Sequence, residues 1–214
     1  MEIEERMNTI SVNTLTMFDV TIKFLEEAIG VYLNSSIIAM PKIDDNRVDN
    51  LERSIEEECL RVILKERPFS SDLREVTGIF KLVEDIERLG DHAEDLLWTI
   101  GNLLKYSGGT KIDSLSKEAK VAMSMVKDAY ACFAKGDVAL AKEICKRDDV
   151  VDSLYLATLK DIPLTKDKFH LSDDFILYCT LLSKYLERIA DHASNIAEWV
   201  DYIKTGHYKG EVLI

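Results

Sequence analysis

Ile86-Glu87-Arg88-Leu89-Gly90-Asp91-His92-Ala93 returns one hundred residues later as Leu186-Glu187-Arg188-Ile189-Ala190-Asp191-His192-Ala193. The repeat is wider than this segment. Ile79, Leu82, Ile86, Leu89, Ala93, Leu96, Ile100 and Leu103 step by three and four, and Cys179, Leu182, Leu186, Ile189, Ala193, Ile196, Val200 and Ile203 follow in the same rhythm. Such spacing is the apolar seam of a long helix packed in a bundle. One such helix can arise by chance; two in register, with matched charged residues between the seam positions, mark a duplication. Upstream, Asp45-x-x-x-Asp49 followed by Leu51 is matched by Asp148-x-x-x-Asp152 followed by Leu154. The duplicated unit therefore spans more than one helix.

Working outward, the pattern predicts six helices. The first covers about residues 4–33, with Leu15, Phe18, Ile22, Leu25 and Ile29 on one face. A second runs over about 36–66, with Pro41 near its start or kinking it. Pro68 marks a break, and Ser70-Ser71-Asp72 offers a cap and first-turn acid for a third helix to about 106. Ser107-Gly108-Gly109 is the linker candidate. Helices near 114–134, 137–160 and 172–205 then repeat the scheme. The expected fold is all-α, a tandem repeat of two three-helix bundles over residues 1–109 and 110–214. No strand pair is expected, because three Pro and nine Gly are too few for a sandwich or barrel with a turn every ~10 residues.

Composition narrows the function. An apolar fraction of 47% furnishes a core and argues against disorder. The formal charge of −12 argues against nucleic acid and against anionic lipid, both of which call for clustered Lys and Arg. Basic protein patches or metal cations suit an acidic surface better. Cys59, Cys132, Cys145 and Cys179 form no CxxC pair, which points to a reducing compartment. The acidic start, Met1-Glu2-Ile3-Glu4-Glu5, does not read as a signal peptide. No apolar run approaches the ~20 residues of a membrane span. A cytoplasmic location is expected, with any place at the membrane reached through partners and without direct insertion.

Residues four apart share a helix face. Glu87 with Asp91, Glu187 with Asp191, Asp45 with Asp49 and Asp148 with Asp152 each form a paired-oxygen edge. If the second and third helices of a bundle are antiparallel neighbours, two edges face each other. Four converging carboxylates repel unless a metal bridges them or their pKa values rise. Oxygen donors suit Mg, Mn and Fe, and His92 or His192 could add an imidazole. The plainer alternative stays open: Glu87 and Asp91 fall on the side away from the seam, where solvated charges paired with Arg88 or Lys184 belong. Other chemistry is poorly supported. The residues three before His92 and His192 are Leu89 and Ile189, which a ferritin-like Glu-x-x-His would not allow. Gly-rich phosphate loops and GxSxG are missing. Trp98 and Trp199, near the ends of the repeated helices, read as packing residues.

The repeated E-R-[IL]-[GA]-D-H-A segment, the D-x-x-x-D upstream and the Pro68…Asp72-Leu73-Arg74 stretch resemble the PhoU family over nearly the whole chain. The resemblance implies tandem three-helix bundles with multinuclear metal clusters, of iron or zinc, on the bundle surface. It implies a non-enzymatic negative regulator of phosphate uptake and phosphate-starvation signalling, acting between an ATP-driven phosphate importer (an ABC importer) and a sensor histidine kinase. Carried over by motif, Asp45, Asp49, Glu87 and Asp91 would hold one site, and Asp148, Asp152, Glu187 and Asp191 the other. The copies differ, since Glu84 is replaced by Lys184 and Asp95 by Asn195, so the second site is expected to bind more weakly. A carboxylate-bridged metalloenzyme and an accessory protein of a phosphate permease are the alternatives. Oligomeric state is open, a homodimer included.

Overall fold

The computed structural model describes residues 2–34 and 45–212. Six helices follow one another: α1 (Glu2–Asn34), α2 (Asp45–Glu66), α3 (Ser70–Tyr106), α4 (Asp113–Lys135), α5 (Val138–Phe169) and α6 (Asp173–Thr205). α1, α2 and α3 pack on one another, as do α4, α5 and α6. All sixteen seam residues of α3 and α6 named above are buried. On α1 the buried stripe is rotated from the expected one. Ile10, Thr14, Met17, Phe18, Thr21 and Leu25 are buried, while Leu15 and Ile22 are half-buried. Thr14 and Thr21 belong inside because their hydroxyls donate to the carbonyls of Ile10 and Met17 at 2.9 and 3.1 Å.

Several helix ends differ from expectation for local reasons. Ser70 does not cap α3; Phe69 is the cap residue, and its carbonyl accepts from Asp72 N at 3.1 Å. Asp137 does cap α5, its side chain accepting from Leu140 N at 3.0 Å. α5 does not stop near 160 but runs through Pro163 to Phe169. Buried Thr158 and Ile162 hold that stretch against the core, and His170, left-handed at φ 53°, closes it while Leu171 N bonds back to Lys166 O. The expected residues 36–44, with Pro41, lie outside the described residues.

A two-stranded ribbon that the sequence did not announce ends the described chain. β1 (His207–Tyr208) pairs antiparallel with β2 (Glu211–Val212) around Lys209-Gly210, both at positive φ. That is the backbone of a tight hairpin turn whose twist matches the strands. Tyr208 stacks on Trp199 at 4.1 Å.

The two bundles join chiefly through α3 against α6, which is the most extensive helix pair in the molecule. The pair crosses antiparallel: Gly78 meets Ile203, Asp85 meets His192, and Trp98 meets Tyr178. His92 and His192, matching residues of the two repeats, face each other at 5.5 Å near the middle. Phe18 against Tyr130, ring centroids 5.7 Å apart, adds a contact between α1 and α4. At Gly78 a Cβ would clash with Ile203 Cγ1 and stand 2.9 Å from Cδ1. Gly78→Ala is therefore expected to cost about 1 kcal/mol, because overpacking of about 1–3 kcal/mol exceeds a helix-propensity gain of about 1. Thermal unfolding should register a fall of roughly 2–4 °C; an unchanged or raised midpoint would refute this close approach.

Candidate metal centre

The first carboxylate cluster lies in the groove between α2 and α3. Glu87 is only 16% exposed, with Arg88 Nε at 3.5 Å, and Arg88 Nη1 donates to Asp91 at 2.9 Å. Asp49 faces Arg53 at 3.6 Å. Asp45 opens α2 four residues earlier, and its side chain lies outside the described residues. Glu52, which sequence reasoning missed, belongs here too. Burial first, then the charges of Glu87, Glu56 and Asp49, push its pKa up to about 7, with Arg88 opposing. The signal was available, since Asp49, Glu52 and Glu56 share one stripe of α2 at helical spacing.

The second cluster lies between α5 and α6. Burial, then Glu187 and Asp148, push Asp191 up to about 6, while Lys184 opposes and Asp152 adds to the rise. Asp148 is raised as well, by burial, then by Asp152. Glu187 is 15% exposed and takes an ion pair from Lys184. Lys184 Nζ also sits 5.5 Å from the Tyr155 ring centroid. Tyr155 follows Asp152 by three residues, as Glu52 follows Asp49. The second cluster thus has an ammonium and a phenol ring where the first has carboxylates. Beneath it, fully buried Glu118 of α4 accepts at Oε2 from Ser183 (2.7 Å) and Thr158 (3.0 Å). Burial pushes Glu118 up to about 7 against those two hydroxyls, with Glu187 adding to the rise.

These positions correct the outward placement read from the seam: Glu87 and Glu187 lie in grooves between helices, largely shielded from solvent. The imidazoles stand elsewhere. His192 Nδ1 is 2.9 Å from Asp85 Oδ1, to which Asn195 also donates at 3.2 Å, and His92 Nδ1 is 3.4 Å from Asp95. Burial, then His192, lowers the His92 pKa. Both histidines build the α3–α6 contact. The donor chemistry of the clusters fits a hard cation, being all carboxylate and self-repelling. Among the described residues, though, no three His, Cys, Asp or Glu side chains are drawn together in metal-holding geometry. Arg88 and Lys184 hold the carboxylates instead.

The PhoU domain family model matches residues 14–97 and 115–200, one stretch in each half. The chain belongs to the PhoU family. A "Phosphate-specific transport system accessory protein PhoU homolog" from Synechocystis is 35% identical over 162 residues, covering 76% of this chain and 72% of that protein. Another of the same description from Clostridium acetobutylicum is 34% identical over 171 residues, covering 76% and 74%. In shape the chain is similar to the crystal structure of the phosphate transport system regulatory protein PhoU from Streptococcus pneumoniae, with TM-score 0.85 and 23% identity over 99% of each chain. It is also similar to PhoU from Pseudomonas aeruginosa, with TM-score 0.72 and 27% identity over 96% and 97%. PhoU proteins are regulatory and accessory proteins, not enzymes, and the metalloenzyme alternative falls with that membership. No described helix is long and apolar enough to cross a membrane.

Proposed function

We propose that the protein regulates phosphate transport as the accessory subunit of a phosphate-specific transport system. The observation that carries this reading is the PhoU match in both halves together with relatives described by that role. It works from the cytoplasmic side, against components of an ATP-driven importer and a sensor histidine kinase, and restrains uptake when phosphate is plentiful. Metal belongs to this reading: Asp45, Asp49, Glu87 and Asp91 hold one site and Asp148, Asp152, Glu187 and Asp191 the other. Burial first, and neighbouring carboxylates second, raise Glu52 and Asp191, and the repulsive part of that rise is what a shared cation would relieve. The oxygen-only donor set favours iron, manganese or magnesium over a thiolate-seeking ion, with zinc also within its range. Binding would require Arg88 and Lys184 to swing away from the carboxylates they now hold.

The test is genetic. Removing the gene from its host is expected to raise labelled-phosphate uptake and switch on a phosphate-starvation reporter in phosphate-rich medium, and the intact gene should restore both. Uptake and reporter left unchanged by the deletion would overturn the reading.

A further inference from the structure

At one end of the α3–α6 contact two exposed aromatic rings gather on a third that is half-buried against the core. Trp98 of α3 is 59% exposed and meets Tyr178 of α6 edge-on at 5.9 Å. Tyr106, 38% exposed, stacks on the same Tyr178 at 5.8 Å. At the opposite end of the α3–α6 pair a tryptophan is covered: Trp199 lies under Tyr208 of the terminal ribbon. The expectation that both tryptophans pack is met at Trp199 and fails at Trp98. An exposed tryptophan cluster of this kind marks an interaction surface.

Charge says what it fits. Glu94 lies one turn before Trp98 and Asp174 one turn before Tyr178, so each carboxylate borders the rings. Among the described residues neither is paired with a basic side chain, whereas nearby Lys166 is engaged by Asp173 at 2.9 Å and Lys105 by Asn102 at 3.0 Å. A second copy of the chain suits the patch badly, since a twofold contact would bring two copies of the same acidic rim together. An anionic membrane is repelled by the same carboxylates. We infer that the Trp98–Tyr106–Tyr178 platform docks an arginine-bearing amphipathic segment of another protein, a guanidinium lying over Trp98 and pairing with Glu94 or Asp174. Arginine fits better than lysine because its plane stacks on a ring while its edge still reaches a carboxylate. Glu94 lies three residues beyond Asp91 on the same stripe of α3, so the platform continues from the first carboxylate groove, and the test is run on metal-free protein.

The test uses the full chain and three fluorescein-labelled helical peptides of one pattern, Leu with Arg, Leu with Lys, and Leu with Glu, followed by anisotropy. The Arg peptide is expected to bind best and the Glu peptide not at all. Trp98→Ala should weaken the Arg peptide roughly tenfold, in line with a cation–π contact. Glu94→Gln with Asp174→Asn should weaken it as well, and circular dichroism should show every variant helical. Arg-peptide binding untouched by Trp98→Ala would overturn the inference. So would equal binding of the Glu peptide, concentration-dependent dimerisation lost in Trp98→Ala, or Trp98-dependent binding to anionic vesicles in place of the peptide.

Discussion

Glu118→Gln is expected to raise the stability of the metal-free protein at pH 8 by about 2–3 kcal/mol and to leave it nearly unchanged at pH 4. Glu118 is fully buried, and its pKa rises from 4.5 to about 7 on folding. Below pH 4.5 both folded and unfolded chains carry the proton, so the residue costs nothing. Between 4.5 and about 7 the folded protein keeps a proton that the unfolded chain has released, and stability falls as pH rises. Above that window the loss is complete, about 3 kcal/mol from the shift in pKa. Glutamine keeps an oxygen that can accept from Ser183 and Thr158 and never ionises, so the loss disappears. Urea unfolding at the two pH values reads the effect directly. An equal change at pH 4 and pH 8 would mean that Glu118 acts through packing and not through its charge.

The second large effect concerns Lys184. It pairs with Glu187 and opposes the rise in Asp191, so it is an internal cation in the site where metal is proposed. Two unit charges at 4 Å and an effective dielectric of 20 interact by about 4 kcal/mol. The Lys184 side chain is 42% exposed, and solvent screening brings the useful part nearer about 1.4 kcal/mol, a factor of ten. Lys184→Met is therefore expected to tighten Mn²⁺ binding at the second bundle roughly tenfold. Lys184→Glu, which restores the acid found at Glu84, should tighten it roughly a hundredfold. Chelator competition on a Glu87→Ala, Asp91→Ala background isolates that bundle. Unchanged or weaker affinity in both variants would show that Lys184 does not compete with metal.

Particular residues show where sequence reading reached and where it stopped. The seams of α3 and α6 were legible because burial on a helix repeats at a fixed period, and every seam residue is buried. Pro163 was not, because a proline inside a helix costs about 3 kcal/mol and only tertiary packing of Ile162 and Thr158 offsets it. The ExxxD edges were found by their spacing. Their shielding was not, because it depends on how closely α2 and α5 approach. His92 was assignable away from the carboxylate edge by geometry alone, since it lies 100° around the helix from Asp91. Glu118 left a trace in the sequence as a lone acid among Leu115, Ala119 and Ala122. What no periodicity carries is the partner of such a residue, here two hydroxyls from α5 and α6.

The most direct test of the proposed metal sites is elemental analysis of metal per chain after mild chelation. It compares the unaltered protein with Glu87→Ala, Asp91→Ala and with Glu187→Ala, Asp191→Ala. The unaltered protein should retain metal, and each double variant should lose the share of its own bundle while remaining folded. The larger loss should come from the first bundle, where Glu52 and Glu84 add carboxylates and Arg88 is the cation to displace, whereas the second site has Lys184 and Tyr155 in their places. Equal metal content in all three proteins, under conditions where the unaltered chain retains some, would return the eight carboxylates to ordinary helix-surface charges.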